Sequence, residues 1–394
     1  SFTKNNKIII FGSTFLIIIF SIIGIFKLEV ENSFINYFDK ETEIYKGMKK
    51  IDDDLGGTTP LDVILKFPSN EKIAKAENDE FDEWEEDNKN NDEEKSKYWF
   101  TRDKMDKIIK VHDYLDSLPE IGKVLSFGSI LRVAEDLNNK KLQSLEIAVL
   151  YSKIPASIKK EIVSPYISVE KDEARISVRI KDSLKNLRRN ELINKINSEL
   201  NTKIGLDKDE YKLSGVLILF NNLLQSLFKS QILTLGIVIL GIFFMFFILF
   251  RNIVLSLIGV VPNFIAAFFI LGIIGLLGIP LDMMTITIAA ITIGIAVDNS
   301  IHYIYRFKEE FKKIKKYNET LDRCHSTVGI AILNTSITIV FGFSILVLSN
   351  FIPTIYFGVF TGIAMLLAMI SVLTLLPKLI LTYKPFGEEI SELN

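Results

Sequence analysis

Long uncharged stretches and one long charged region divide this chain of 394 residues. Near its start, Ile8–Phe26 is an uncharged run of nineteen residues, which is long enough to cross a bilayer as a helix. A cleaved signal peptide is the alternative interpretation, but no pattern of small residues marks a cleavage site after the run. Five further apolar runs predict membrane helices at Ile232–Phe250, Ile253–Gly278, Met283–Tyr305, Gly329–Leu348 and Ile355–Leu381. The pattern therefore predicts an α-helical membrane bundle of six helices, TM1 to TM6.

The region between the first and second spans, residues 27–230, has the pattern of a soluble domain. Ala174–Ile180 alternates apolar and polar residues, as a half-exposed strand does, and Asp103–Leu118 places its apolar residues at helical spacing. His112 falls on the apolar side of that helix, so we predict that it is a packed side chain rather than a ligand. The other predicted elements are strands at Leu61–Phe67 and Tyr211–Leu213 and a helix at Asn190–Leu200. Strand–helix–strand units of this size predict an α+β, ferredoxin-like domain.

Charged residues dominate one part of this domain, Glu71–Ser96. It carries twelve acidic and four basic residues and contains no Gly or Pro. So little apolar surface predicts a solvated excursion, a mobile helix or a disordered insert. Binding of a cationic partner or of divalent ions is a further alternative.

Positive charge predicts how the spans are oriented. Arg306–Arg323 contains seven Lys and Arg residues, and the same side of the predicted bundle carries Lys4, Lys7, Arg251, Lys378 and Lys384. Because basic residues are enriched in cytoplasmic loops, this side is predicted to be cytoplasmic and residues 27–230 to lie on the opposite side, in the periplasm. Residues 306–327 are predicted to form an amphipathic helix along the inner membrane surface, and residues 383–394 a cytoplasmic tail.

Composition and motifs narrow the class of function. The net charge of −2 argues against a nucleic-acid partner, and the single Cys324 excludes an intramolecular disulfide. We find no nucleophile–base pair, phosphate-binding loop, cofactor motif or spacing of metal ligands in the sequence. The sequence therefore predicts neither an enzyme nor a cofactor or metal site.

One stripe along the fourth span carries the chemistry of the membrane region. Residues four apart lie close together on a helix face, and here that spacing gives Ile286, Ala290, Gly294, Asp298, His302 and Arg306. Small residues at Ala290 and Gly294 allow another helix to approach closely. Asp298 lies eight residues before Arg306, roughly 12 Å of helix rise, which places its carboxylate well inside the apolar run.

An ionisable group inside a membrane usually faces a bundle interior or a water-lined path, because its exposure to lipid costs roughly 3 kcal/mol or more. Removal from water favours the neutral form of a carboxyl group, so Asp298 is suited to binding and releasing a proton. We predict proton coupling through Asp298, with His302 as a relay and Asn299 beside it. The alternative is that Asp298 only hydrogen-bonds a neighbouring helix, or lies near enough to the membrane edge for water to reach it.

The fifth span offers polar partners at a similar depth. They are Asn334, Thr335, Ser336 and Thr338, six to ten residues from the predicted cytoplasmic end of that span. We predict that they form a hydrogen-bonding pocket around the carboxylate of Asp298.

Several segments resemble one known family. Residues 294–311, GIAVDNSIHYIYRFKEEF, closely resemble the fourth-helix signature of the resistance–nodulation–division (RND) superfamily in its MMPL-like exporter branch. Residues 31–67 and 250–263 resemble the segment after the first helix and the connection between the second and third helices of those proteins. The resemblance implies a porter-type external domain and export of lipids or other hydrophobic compounds, driven by protons, at the bacterial inner membrane. Drug-efflux members have two adjacent aspartates where this chain has Asp298 and Asn299. The resemblance therefore does not imply multidrug specificity.

Two alternatives to coupled transport remain open from the sequence. One is a lipid-binding or sterol-sensing module without transport, since Patched-type and sterol-sensing proteins resemble the same superfamily. The other is an export helper that resembles SecD and SecF. Proton flux that depends on Asp298 distinguishes transport from both.

The RND-type proteins that this chain resembles usually contain two six-helix units in tandem. We find one unit, which resembles their C-terminal half, and no second copy of the 294–311 pattern. We therefore expect a second equivalent repeat as partner, either in a homodimer or as an N-terminal half. The face bearing Ala290, Gly294 and Asp298 is expected to meet that repeat or the fifth span of its own unit.

Overall fold

A computed structural model describes residues 2–31, 33, 35–68, 99–184 and 187–389, so the acidic stretch Glu71–Ser96 lies outside the described residues. The chain forms two compact units. The membrane unit comprises Ser1–Asn32, Tyr37–Asp39 and Leu223–Asn394. The sheet unit comprises Ser33–Asn36 and Lys40–Asn222.

The described residues contain six helices long and apolar enough to cross a membrane, which confirms the predicted number. Their helical bounds are TM1 Lys7–Ile25, TM2 Val216–Phe250, TM3 Ile253–Leu276, TM4 Ile288–Ile314, TM5 Ile330–Ser344 and TM6 Ile352–Tyr383. A 3-10 turn, Thr285–Thr287, precedes TM4. Asp282 stabilises this start, because its Oδ1 accepts hydrogen bonds from the backbone N–H groups of Met284 and Thr285.

The segment predicted as one amphipathic helix, residues 306–327, is divided in the structure. TM4 continues to Ile314 and ends at Lys315, whose φ of 51° is left-handed. A separate helix, Tyr317–Cys324, and a π-helical turn, His325–Gly329, then lead into TM5. The apolar residues of this segment pack on one another, since the rings of Phe311 and Tyr317 lie 4.3 Å apart. Phe307, Phe311 and Leu321 are buried within the protein.

TM1 and TM3 approach each other at glycines. A Cβ atom added to Gly24 or to Gly275 would overlap a backbone carbonyl oxygen of the other helix. A Cβ atom on Gly272 would lie 2.5 Å from the Cα atom of Ser21. The two backbones are therefore in direct contact, as small residues allow between membrane helices.

Two short segments after TM1, residues 29–30 and 37–39, form a strap across the loops at one end of the membrane unit. The backbone N–H of Leu281, in the TM3–TM4 loop, donates to the carbonyl of Glu29 over 2.7 Å. The backbone N–H of Asp39 donates to the carbonyl of Asn350, in the TM5–TM6 loop, over 3.1 Å. The strap thus connects both loops through backbone hydrogen bonds.

An antiparallel sheet forms the centre of the sheet unit. Its strands are β1 Thr59–Lys66, β2 Ile121–Leu125, β3 Ile167–Ser168, β4 Glu173–Ile180 and β5 Tyr211–Ser214. The order is β2-β4-β1-β5, with the two-residue β3 paired to β4. β4 therefore lies between β1 and β2, and β1 lies between β4 and β5. Each strand–helix–strand unit is thus split by a strand of the other.

Six helices of the sheet unit are described: α1 Glu43–Asp54, α2 Arg102–Asp116, α3 Phe127–Asn138, α4 Ser144–Lys153, α5 Ala156–Ile162 and α6 Arg189–Thr202. β4 alternates buried and exposed residues as predicted, with Ile176, Val178 and Ile180 fully buried. His112 on α2 is buried, and its Nδ1 lies 3.0 Å from the hydroxyl of Ser126. This contact confirms that His112 is a packed residue.

A buried carboxylate connects α1 to the ends of two strands. Asp52 is 1% exposed and accepts hydrogen bonds from the backbone N–H groups of Thr58 (3.0 Å), Asp182 (2.8 Å) and Ser183 (2.9 Å). Burial by itself would raise the pKa of Asp52, but the hydrogen bonds from Ser183, Asp182 and Thr58 outweigh it and lower the pKa below its usual value.

We expect Asp52→Asn to destabilise the sheet unit at neutral pH by about 1–3 kcal/mol, because an amide NH2 would replace one charged acceptor among three N–H donors. The lowered pKa means that the stabilisation is present above the pKa of the unfolded chain, about 3.9, and is lost as pH falls through the folded value. Urea unfolding of the full chain, followed by tryptophan fluorescence at pH 7 and near pH 3, measures both effects. The matched control is Asp53→Asn, whose side chain is 53% exposed. Equal midpoints for the two variants at pH 7 would contradict the assignment.

Candidate functional site

TM4 presents two chemically different faces, and Asp298 lies on the open one. The side chains of Asp298 and His302 are 71% and 65% exposed, and Asp298 Oδ1 lies 3.4 Å from His302 Nε2. One helical turn separates the two residues, so the spacing alone brings the carboxylate and the imidazole together. The structure thus pairs the two residues that the sequence analysis selected for proton coupling.

The small residues of the stripe lie on the same open face. Ala290 is half-buried and Gly294 is exposed. A Cβ atom added to Gly294 would have none of the described residues within 4 Å. The surface around Asp298 therefore has room for the close approach of another helix.

Asn299 points away from Asp298, towards TM5. It is buried, and its Nδ2 donates to the hydroxyl of Ser336 over 3.4 Å. Asn334, Thr335 and Thr338 are exposed. Within the described residues, these side chains thus form no pocket around Asp298. One residue along a helix rotates the side-chain direction by roughly 100°, so TM5 contacts Asn299 instead of Asp298.

The buried side of TM4 contains a polar contact that the sequence analysis missed. Asn263 on TM3 is 1% exposed, and its Nδ2 donates to the hydroxyl of Ser300 on TM4 over 3.1 Å and to the carbonyl of Gly259 over 3.0 Å. An asparagine directly after Pro262, in an otherwise apolar run, was the available signal. Polar contacts of this kind hold membrane helices together.

A second missed cluster lies where TM4 ends. Glu310 is 2% exposed, and its carboxylate lies 3.0 Å from Arg306, 3.3 Å from Arg323 and 3.9 Å from Lys313. Arg323 belongs to the helix Tyr317–Cys324, so the cluster joins that helix to TM4. The four-residue spacing from Arg306 to Glu310 was visible in the sequence, but nothing in the pattern indicated that Glu310 is buried.

The chemistry open to Asp298 and His302 is proton exchange. Among the described residues, no group of three or more His, Cys, Asp or Glu side chains is placed to hold a metal ion. Two ligands one turn apart do not form a closed metal site. A carboxyl group and an imidazole in contact can each bind and release a proton.

Comparison with known proteins identifies the family. The model of the MMPL family matches residues 40–389. A protein of Methanocaldococcus jannaschii, MJ1562, which is named as a membrane protein, is 34% identical over 152 residues, 39% of this chain and 39% of the relative. The hopanoid transporter HpnN of Burkholderia multivorans is 28% identical over 113 residues, 27% of this chain and 12% of the relative.

The aligned segments thus span well under two thirds of either relative, whereas the family match covers most of this chain and confirms the resemblance found in the sequence. The six candidate spans agree with it. The chain is therefore a multi-pass membrane protein, and it belongs to the MMPL family.

Proposed function

We propose that this chain is a proton-coupled transporter unit of the RND type, which moves lipids or other hydrophobic compounds at the cell membrane. The observation that carries the proposal is the Asp298–His302 pair on the open face of TM4. Membership of the MMPL family supports a transport function. The similarity to a hopanoid transporter supports a lipidic cargo.

Protonation of Asp298 changes the relative stability of TM4 with this side chain facing lipid and facing water. An ionised carboxylate that faces lipid costs roughly 3 kcal/mol or more, and a bound proton removes most of that cost. Exchange between a wet and a dry environment around Asp298 would therefore be driven by proton binding and release. His302, one turn nearer the predicted cytoplasmic end, can pass the proton between Asp298 and water.

The open face also supports a second equivalent unit as partner. Asn299 contacts Ser336, so TM4 and TM5 are in register and the exposed Asn334 and Thr338 lie at a depth similar to that of Asp298. In a two-fold symmetric pair, the polar residues of TM5 in one unit can meet the carboxylate of the other. Asp298 would then face protein instead of lipid, as an ionisable group inside a membrane usually does.

A disulfide cross-link tests this pairing. We expect Gly294→Cys to form covalent dimers on mild oxidation in membranes, because Gly294 lies beside Asp298 with open space around it. Gly12→Cys on TM1 is the matched control, since its added Cβ also has none of the described residues within 4 Å. Dimers from Gly12→Cys but not from Gly294→Cys would rule out pairing through TM4.

We further propose that the sheet unit is a ferredoxin-like porter domain on the external side. The order β2-β4-β1-β5 supports the fold assignment, and the basic residues of Arg306–Arg323 support the orientation.

Cysteine labelling tests the orientation. We expect Ser152→Cys to react with a membrane-impermeant thiol reagent in intact cells, and Lys312→Cys to react only after permeabilisation. Both positions are exposed. The native Cys324 is buried and is therefore protected from the reagent. Equal reaction at both positions in intact cells would refute the arrangement.

Reconstitution tests the function itself. Proteoliposomes that contain fluorescent lipid are given an inward or outward proton gradient, and lipid movement and internal pH are followed together. Gradient-dependent lipid movement with accompanying proton flux supports the proposal. Lipid binding that is indifferent to pH, without movement, would favour the lipid-sensing alternative.

A further inference from the structure

We propose that Glu310 is a positioning residue, which clamps Arg306 and Arg323 and thereby transmits the charge state of the Asp298–His302 pair to TM5. The inference rests on the proposed proton coupling and adds to it a path from the proton site to a neighbouring helix. It starts from a carboxylate that is almost completely buried and surrounded by cations. A buried charge of this kind is stable only while its partners remain in place.

Four ionisable residues form a row along TM4. Asp298, His302, Arg306 and Glu310 follow one another at four-residue spacing. Asp298 lies 3.4 Å from His302, and Arg306 lies 3.0 Å from Glu310. Four residues advance a helix by slightly more than one turn, so the row rotates gradually around TM4. Accordingly, the exposed fraction of the side chain falls from 71% at Asp298 to 42% at Arg306 and 2% at Glu310.

Arg306 lies between the two contacts of this row. It lies one turn from His302 on one side and one turn from Glu310 on the other, and its partly exposed guanidinium can lean towards either. An ionised Asp298 attracts Arg306 along the helix, whereas a protonated Asp298 leaves Arg306 with Glu310. Eight residues, roughly 12 Å of helix rise, separate Asp298 from Arg306, so the charge on Asp298 acts on Arg306 wherever water is excluded between them.

Glu310 passes the change to the next helix. When Arg306 leans away, the carboxylate of Glu310 keeps Arg323 as its partner on the helix Tyr317–Cys324. That helix leads into TM5 through the π-helical turn His325–Gly329, and π-helical turns are frequent at functional sites. The strength of the Glu310–Arg323 contact therefore biases the position at which TM5 begins.

The surroundings of the clamp contain few other titratable groups. Lys313 on TM4 lies 3.9 Å from Glu310, and the buried thiol of Cys324 interacts electrostatically with both Glu310 and Arg306. Among the described residues, Asp298 forms an ion pair with His302 and with no other group. Among the described residues, the ion pairs of Glu310 are thus with Arg306, Lys313 and Arg323.

A triple-mutant comparison tests the inference without any transport assay. Melting temperatures are measured in detergent for Glu310→Gln, Arg323→Gln and the double variant. The difference between the double variant's change and the sum of the two single changes gives the coupling between Glu310 and Arg323. The same cycle is then repeated in the Asp298→Asn background. We expect the coupling to change by at least a third when the carboxylate of Asp298 is removed. Identical coupling in both backgrounds would reduce Glu310 to a structural ion pair and overturn the inference.

The pH profile of lipid movement gives the second readout. Glu310→Gln leaves Arg306 without its buried counter-charge, so more of the positive potential of Arg306 acts on Asp298. We expect the pH of half-maximal movement to fall by roughly half a unit or more. Glu309→Gln is the matched control, because Glu309 lies on the same turn and pairs with the exposed Lys312.

The outcomes separate this inference from the proposed function. Gradient-driven movement by Asp298→Asn would contradict proton coupling itself. Loss of movement in Asp298→Asn, together with an unchanged pH profile in Glu310→Gln, would contradict only the clamp. If Glu310→Gln does not fold, Arg323→Gln, whose native side chain is 61% exposed, removes the same contact from the other side.

Discussion

Replacing Asp298 with asparagine is expected to reduce proton-driven lipid movement to the level of protein-free vesicles. Asparagine has nearly the same shape but cannot exchange a proton, so the variant removes the charge change and little else. The carboxylate contacts His302 and is otherwise largely exposed, so folding and membrane insertion should be preserved. Reconstituted flux, measured beside melting temperature and membrane yield, tests this expectation.

His302→Ala serves as the graded comparison for that experiment. His302 lies one turn closer to the predicted cytoplasmic side and acts as a relay in the proposed mechanism, so water can replace it in part. We expect slower movement than in the native protein, but clearly more than in Asp298→Asn. Native rates in Asp298→Asn would show that the coupling mechanism is wrong.

Gly24→Val is expected to have the largest effect on the stability of the membrane unit. A Cβ at Gly24 would overlap the carbonyl oxygen of Gly272 on TM3, and backbone atoms cannot move aside as a flexible side chain can. Overpacking in a well-packed site costs about 1–3 kcal/mol, and contact with backbone places this substitution at roughly 3 kcal/mol or more. We expect a loss of folded protein in detergent, measured by size-exclusion chromatography and thermal unfolding.

Gly12→Val is the matched control for this second prediction. Gly12 lies on the same helix, and a Cβ there would have none of the described residues within 4 Å. The two variants therefore share the change in helix propensity and differ in the contact with TM3. Equal losses of stability would show that propensity, rather than the approach of TM1 and TM3, is responsible.

Much of the fold could be predicted from the sequence because the membrane imposes a simple pattern. An apolar run long enough to span the bilayer can satisfy its backbone only as a helix, and six such runs gave six helices. In the sheet unit, alternation located β4, which is half-exposed along its length. β2 escaped prediction because its register shifts between Ile121 and Lys123, and the pattern of its side chains is interrupted there.

The candidate site could be predicted only in part, since the sequence gives spacing but not direction. Four-residue spacing sufficed to pair Asp298 with His302. It did not show that TM5 packs beside Asn299, because either neighbour could have faced that helix and packing decides between them. The burial of Glu310 likewise depends on the fold after Lys315, where the chain reverses and brings Arg323 back to TM4.

The strap also restricts the order in which the protein can be completed during synthesis. Residues 29–30 and 37–39 leave the ribosome early, but their partners in the TM3–TM4 and TM5–TM6 loops follow only after the entire sheet unit. The two hydrogen bonds of the strap can therefore form only after Leu281 and Asn350, respectively, have been synthesised. A chain whose translation is arrested before Asn350 cannot form the hydrogen bond from Asp39 to the TM5–TM6 loop, so the strap joins both loops only after nearly the whole chain has been synthesised.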